Sequence, residues 1–343
     1  MRPSFFYHLH PPTIPAEQAR WRYTLGAGGT AIFLLLVVAA TGILEMFYYI
    51  PTPEGAARSV QEIAYLVPFG GFVRNLHFWS AQLLIAVSAI HLVRVVFTGA
   101  YAPPRRFNYL LGLALLVLSV LMDFTGYVLR WDRGVEWALV VGTNLIRSIP
   151  GIGPALYRFV SGGPQIGAST LIRFYAWHIF GLTLGVVILL TWHIFRVRRD
   201  GGIAVPPPAG RASQARITRY ELVGREIAAM LFSSAALVLL AASRPAPIAA
   251  PITDVASLTG DVRAPWFFLW VQQMLKWGDP FVWGVLAPLV VLAALALIPY
   301  ALPKPVPAER GRWFPPSGRA AQVLLALIAA GLILLTIFGS LPA

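Results

Sequence analysis

The 343-residue chain contains no cysteine. It can therefore form no disulfide, no cysteine-held iron–sulfur cluster, no thiolate metal site and no thioether-linked prosthetic group. Cysteine usage is accordingly silent about redox compartment. Charge is scarce as well: 12% of residues are charged, against about 25% in a soluble domain. With 57% hydrophobic residues, this excludes an ordinary soluble domain and predicts a polytopic membrane protein. Acids are the scarcer of the two charges, 14 against 27 Lys and Arg, which leaves a net charge of +13. Such a balance could suit nucleic acid, but 17 of the 27 basic residues fall within 2–22, 94–106, 196–225 and 304–319. That is the pattern of cytoplasmic loops, so no nucleic-acid partner is expected. The first residues, MRPSFFYHLHPPTIP, lack the continuous apolar run of a cleavable signal.

Apolar stretches run at 28–50, 76–98, 108–129, 172–196, 227–243, 281–301 and 321–340. Each suits a hydrocarbon core of about 30 Å. The basic residues place the N-terminus in the cytoplasm and the C-terminus outside after seven spans. The polar, Pro/Gly-rich segment 201–216 reads as a linker. It predicts two domains: residues 1–205, an N-terminal interfacial segment with a four-helix bundle, and 206–343, linker plus three helices. The expected fold is all-α and membrane-embedded. Residues 130–171 and 246–280 form long connections on the outer face, and long connections in compact proteins tend to be functional. They point to a substrate pocket there.

Four histidines carry the chemistry. His77 and His91 lie 14 apart in the second stretch, and His178 and His193 lie 15 apart in the fourth. At 100° and 1.5 Å per residue, both spacings return to within about 60° of one helix face, roughly 21–22 Å further along. Two such helices face to face would offer an imidazole pair near each side of the bilayer. An imidazole above and below a planar iron macrocycle is a bis-histidine haem site. Two haem b groups, and transmembrane electron transfer, are the expectation.

Gly28 and Gly42 in the first stretch, and Gly112 and Gly126 in the third, repeat the spacing of 14. A macrocycle about 10 Å wide fits between helices normally 8–10 Å apart only where the non-ligating helices thin. Small residues also serve plain helix packing in membranes, but two pairs in register with two histidine pairs favour the haem role. Arg74 and Arg173 precede His77 and His178 near the outer helix ends. They are candidates for propionate binding through bidentate hydrogen bonds, although snorkelling would place arginine there too. His8 and His10 lie outside the spans and read as interfacial surface residues.

The segments RNLHFWSA, HLVRVVFTGAY, FTGYVLRWD, TNLIRSIPGIG and LIRFYAWH resemble cytochrome b of quinol-oxidising bc and bf complexes. Residues 21–205 resemble the short four-helix form, whose fourth helix has the 15-residue histidine spacing. Residues 217–343 resemble its three-helix partner subunit, with APWFFLWVQQMLK as the quinol-site loop. The resemblance implies an outer quinol site beside the haem of His77 and His178, with Tyr127, Pro265, Trp266 and Phe267 around it. It also implies an inner quinone site near Arg198, which Asp200 and Arg22 could join. A separate Rieske-type iron–sulfur protein, a c-type cytochrome and a bacterial-type inner membrane follow from it, and proteins of this type are usually dimers.

The chain also departs from the family. Where the family has Pro-Glu-Trp-Tyr, this chain has Ala264, Pro265, Trp266 and Phe267, so the proton-accepting glutamate is gone. Arg130 replaces a proline and Arg133 a glutamine, both close to the outer pocket. The cysteine that anchors an extra inner-face haem in the short form aligns with Gly26. Asp123, Glu45, Glu136 and Asp132 are candidate replacement acids, because intramembrane acids are costly and usually functional. Asp132 or Glu136 could instead pair with Arg130, Arg133 or Arg74. Asp123 or Glu136 is expected to take the quinol proton. A second reading remains open: a dihaem conduit that wires a periplasmic redox partner to the quinone pool without splitting electrons at the outer face.

Overall fold

The computed structural model describes residues 12–20, 24–206, 215–252 and 263–341. His8, His10 and Arg22 lie outside them, as do residues 207–214 of the linker and 253–262 of the second long connection. The helices are α1 (Ala27–Met46), α2 (Ala56–Tyr65), α3 (Gly70–Phe97), α4 (Arg106–Leu129), α5 (Arg133–Arg147), α6 (Gly153–Ser161), α7 (Ala168–Arg199), α8 (Arg219–Ser243), α9 (Leu269–Leu275), α10 (Val282–Ala301) and α11 (Arg319–Ser340). Seven of them (α1, α3, α4, α7, α8, α10 and α11) are long and apolar enough to cross a membrane. Each coincides with an expected span. α3 begins at Gly70, earlier than its apolar stretch, and so takes Arg74 into the helix. The first long connection is not irregular but folds into α5 and α6.

Strand structure is confined, among the described residues, to β1 (Thr13–Pro15) and β2 (Arg216–Thr218), paired antiparallel. β2 runs into α8 through a capping box: Thr218 Oγ1 accepts from the Glu221 backbone N–H, and the Glu221 carboxylate accepts from the Thr218 N–H. Outward faces of the spans carry exposed apolar side chains such as Phe47, Phe232 and Leu327. In hydrocarbon this costs nothing, because helices satisfy their own backbone groups.

α1 packs along α3, and α4 along α7. The three-helix block is applied to this bundle, α8 against α3 and α10 against α4. One joint arises from proline chemistry. Pro299 sits inside α10 and has no N–H for the carbonyl four residues back. That carbonyl, on Leu295, accepts from the Tyr109 hydroxyl at 2.9 Å. Around it Val96, Tyr101, Leu113, Ile298, Ala321 and Leu325 form a buried cluster common to both blocks. At the opposite end Tyr49 donates to the Leu129 carbonyl at 2.8 Å and packs on a second cluster that includes Trp131, Leu139 and Phe174. Burial, with a smaller contribution from Tyr175, pushes the Tyr49 hydroxyl above the usual tyrosine range.

α7 contains a π-helical turn at Trp177–Gly181. Such a turn inserts one residue relative to an α-helix. It accounts for the unequal histidine spacings: 15 residues of α7 cover the same turns as 14 of α3. The turn leaves the His178 carbonyl to an unusual donor, the Thr183 hydroxyl, at 2.6 Å.

Candidate functional site

The four histidines form two levels in the four-helix bundle. At the first, the rings of His77 (α3) and His178 (α7) have centroids 6.4 Å apart and planes inclined by 65°. Nδ1 of His77 lies 3.0 Å from Thr41 Oγ1 and 3.1 Å from the Val38 carbonyl. Nδ1 of His178 lies 3.1 Å from Thr125 Oγ1 and 3.0 Å from the Met122 carbonyl. Carbonyls only accept, so both Nδ1 atoms carry the proton and both Nε2 atoms keep a lone pair. At the second level, His91 and His193 lie close enough for their charges to interact. Their Nδ1 atoms are buried without a hydrogen bond; that of His193 turns towards the backbone of Asn108 without closing one.

Each glycine stands against one histidine. A Cβ at Gly42 would lie 2.9 Å from Cε1 of His77, and one at Gly126 would lie 2.7 Å from Cε1 of His178. At Gly28 and Gly112 it would lie 3.4 and 3.2 Å from Cε1 of His91 and His193. Thinning of α1 and α4 therefore clears the imidazole edges of the neighbouring helix, at both depths.

Beyond the first level the chain turns at 130–133, and the segment after α8 is fastened across it. Arg130 pairs with Asp132 at 2.7 Å, both largely buried. Asp132 also caps α5 by accepting from the Gly134 N–H, and it accepts from the Ala249 N–H, each at 3.0 Å. Arg133 donates its backbone N–H to the Ala250 carbonyl. Arg74 donates to the carbonyls of Ala246 and Pro247. Arg130 thus belongs, through Asp132, to a clamp on residues 246–252, to which position 133 contributes its backbone N–H. Arg173 donates to the Phe159 carbonyl. Glu136 is buried in the first turn of α5. Glu45 is within electrostatic range of Arg74, with Oε1 buried and without a partner.

Asp123 and Tyr127 are four apart on α4 and so share a face. Tyr127 donates its hydroxyl to the Gly134 carbonyl, with the Arg130 guanidinium 5.3 Å from its ring centroid. Gln82 of α3 donates to both Asp123 oxygens at 2.9 and 3.0 Å. Its own oxygen accepts from Trp266 Nε1 at 2.7 Å. The expected loop residues are thereby wired to the mid-span acid. Pro265 leads into a 3-10 turn over Trp266–Phe268. Phe267 is buried, and Phe268 meets Phe124 of α4 edge-on, centroids 5.6 Å apart.

Beside the second level lies a cavity of about 150 Å³. Its lining includes Gly26, Gly28, His91 and Arg94 of the four-helix block and Arg225 and Glu226 of α8. Arg198 lies within range of the Glu226 charge. Asp200 is bound instead by Arg196 at 2.9 Å.

The family model described as cytochrome b/b6/petB matches residues 15–201. The chain belongs to the cytochrome b/b6 family. Cytochrome b6 of Heliomicrobium gestii is 40% identical over 174 residues, 51% of this chain and 82% of the relative. The menaquinol:cytochrome c reductase cytochrome b subunit of Geobacillus thermodenitrificans is 37% identical over 175 residues, 51% of this chain and 78% of the relative. A solved chain of a hyperthermophilic respiratory Complex III shares the fold at TM-score 0.77 and 21% identity, covering 92% of this chain and 84% of its own. As a cytochrome b with seven apolar helices, the chain is a multi-pass membrane protein. The family binds haem b, and by name the Geobacillus relative and the solved chain belong to redox assemblies, a menaquinol:cytochrome c reductase and a respiratory Complex III.

Sequence reasoning misses several members of this cytochrome b site. Thr41 and Thr125 are two; their signal is the Thr-Gly dipeptide at Gly42 and again at Gly126. Gln82 is another, an amide in an apolar run five residues after His77. Arg225 and Glu226 come from the other block and have no local signal.

Proposed function

We propose that this chain is the dihaem cytochrome b subunit of a quinol-oxidising complex in a bacterial-type plasma membrane, with its N-terminus inside and its C-terminus outside. His77 and His178 would hold one haem b towards the outer face, and His91 and His193 a second towards the inner face. Residues 1–205 would be the dihaem domain and 206–343 the fused three-helix partner. The spacing of the first histidine pair carries the reading. Metal–imidazole bonds are about 2.0–2.1 Å. With a five-membered ring of ~1.35 Å bonds, two imidazoles on one metal put their centroids roughly 6.3–6.5 Å apart; the observed value is 6.4 Å. Lone pairs on both Nε2 atoms and the glycine cradle support the same assignment, so the residues present fit the group. Bound there, an iron porphyrin would take up and pass on one electron at a time.

This chain's own residues supply the rest. Arg74 and Arg173 are the propionate candidates at the outer level, since five N–H donors leave each with capacity beyond its carbonyl bonds. Oxidising a quinol to a quinone releases two electrons and two protons, and the protons need acceptors. With Pro265 where the family has glutamate, Asp123 is the acceptor best placed. Gln82 holds its carboxylate, Trp266 fixes Gln82, and Tyr127 stands one turn away; Glu136 is the second candidate. Pro265 and Phe267 close the pocket. At the inner face, the cavity beside His91 offers Arg94, Arg225 and Glu226 to a quinone head, with Arg198 nearby. A void of about 150 Å³ takes a ring the size of benzene. Because the chain has no cysteine, the electron acceptors outside, a Rieske-type protein and a c-type cytochrome, are separate subunits.

Pairing with Asp132 at 2.7 Å compensates the charge of Arg130 where it lies beside Tyr127, which favours the quinol-oxidising reading over the conduit. Pyridine haemochrome counting with a redox titration of the purified protein tests the proposal. Two haem b per chain with two midpoint potentials are expected; one haem, or none, overturns it.

A further inference from the structure

We propose that Thr41 and Thr125 are positioning residues that set the first haem level electronically apart from the second; this rests on the dihaem reading above. The threonine hydroxyls have their protons committed. Thr41 donates to the Val37 carbonyl at 2.7 Å, and Thr125 donates to the carbonyls of Leu121 and Met122 at 3.0 and 2.9 Å. Such bonding back to the preceding turn is what a threonine in an apolar helix does by default. Each oxygen is then left with lone pairs, and each meets an imidazole Nδ1–H, at 3.0 Å for His77 and 3.1 Å for His178. Every ring of the first level thus has two acceptors, one hydroxyl and one carbonyl, on the nitrogen that faces away from the ligand position.

The second level repeats the glycines and histidines without the hydroxyls and without closed carbonyl bonds on Nδ1. The residues preceding Gly28 and Gly112 are Ala27 and Leu111, where those preceding Gly42 and Gly126 are Thr41 and Thr125. Nδ1 of His91 and of His193 is buried without a hydrogen-bond partner. The two levels therefore differ in the acceptors on Nδ1, a hydroxyl and a carbonyl at the first and neither at the second.

Acceptors on the outer nitrogen draw the N–H proton away and make the ligating nitrogen more basic, besides fixing tautomer and ring orientation. A more basic ligand favours the more positive, oxidised iron and lowers the reduction potential. The first level is accordingly the weaker electron acceptor, and an electron placed there runs downhill to the second. The two hydroxyls thereby add to the carbonyl bonds in favouring transfer from the first level to the second.

The test uses the full-length purified protein and the variants Thr41→Val, Thr125→Val, Thr41→Ser and Thr125→Ser. Haem content is counted first, and a redox titration in the visible α-band is followed by low-temperature electron paramagnetic resonance of the oxidised haems. Either valine variant is expected to raise one midpoint potential, to shift the resonance of that haem alone, and to be rescued by the serine variant. Should the valine variants lose haem, Leu111→Thr decides: it places a hydroxyl at the second level and is expected to lower the other midpoint. Midpoints unmoved by every variant, or both moving together, overturn the proposal. A wild-type count other than two haems overturns the dihaem reading instead, so the two failures are distinct.

Discussion

Tyr109 donates its hydroxyl to the Leu295 carbonyl, the one that Pro299 deprives of its helical donor. Loss of that hydroxyl in Tyr109→Phe leaves a buried carbonyl unsatisfied at the seam between the two blocks. Leaving a buried acceptor unmade costs about 1–3 kcal/mol. The variant should melt earlier in detergent. Pro299→Ala restores the helical donor, so the double variant should recover part of the loss. Additive effects of the two substitutions would separate the tyrosine from the proline.

The four glycines should not be equivalent. An added Cβ at Gly42 or Gly126 falls 2.9 or 2.7 Å from an imidazole carbon, closer than non-bonded carbons approach, whereas at Gly28 or Gly112 it falls 3.4 or 3.2 Å away. Overpacking of a tight site costs about 1–3 kcal/mol. Gly42→Ala and Gly126→Ala should therefore lose haem from the first level, whereas Gly28→Ala should retain it. The haem-to-protein ratio and the two midpoint signals check this, and equal loss in all variants would contradict it.

The histidines and glycines are legible in the sequence because helix geometry alone dictates their spacing. The extra residue in α7 is not, since a π-turn has no composition signal and only the neighbouring helix reveals its use. Thr41 and Thr125 read as ordinary span residues because their backbone bonding is ordinary; their second bond crosses to another helix. Arg130 reads as a departure from the family close to the outer pocket, with Asp132 among its possible partners. Its partner Asp132 is two residues away, but the Ala249 N–H that gives the pair its purpose is 117 residues on. Local patterns convey which face a residue occupies; they do not convey which distant carbonyl needs it.

The clamp around Asp132 makes its own prediction. Arg130→Ala leaves a buried carboxylate with only backbone donors, and removal of one partner of a buried pair costs about 3–5 kcal/mol. The 246–252 segment should then become susceptible to proteolysis in the purified protein, with a lower melting temperature. Arg130→Ala combined with Asp132→Asn removes the stranded charge and should be milder than Arg130→Ala alone. Equal protease resistance in wild type and Arg130→Ala would show that the pair does not hold the segment.

The two candidate proton acceptors differ in what surrounds them. Asp123 is reached from the loop through Trp266 and Gln82, while Glu136 sits at the start of α5, behind the Arg130–Asp132 pair in sequence. Loss of a positioned general base lowers the rate of a proton-coupled step by about 10²–10⁴-fold. Asp123→Asn should slow quinol oxidation on that scale without altering haem content. Gln82→Leu should slow it less, because the acid survives but its orientation does not. Glu136→Gln should leave the rate within a few-fold of wild type. Quinol oxidation by the whole complex, followed with haem reduction under an oxidant pulse, measures all three. If Asp123→Asn is indifferent and Glu136→Gln is slow, the proton leaves through α5. If neither slows the reaction, the outer pocket does not take protons from quinol on this chain, and the electrons enter by another route.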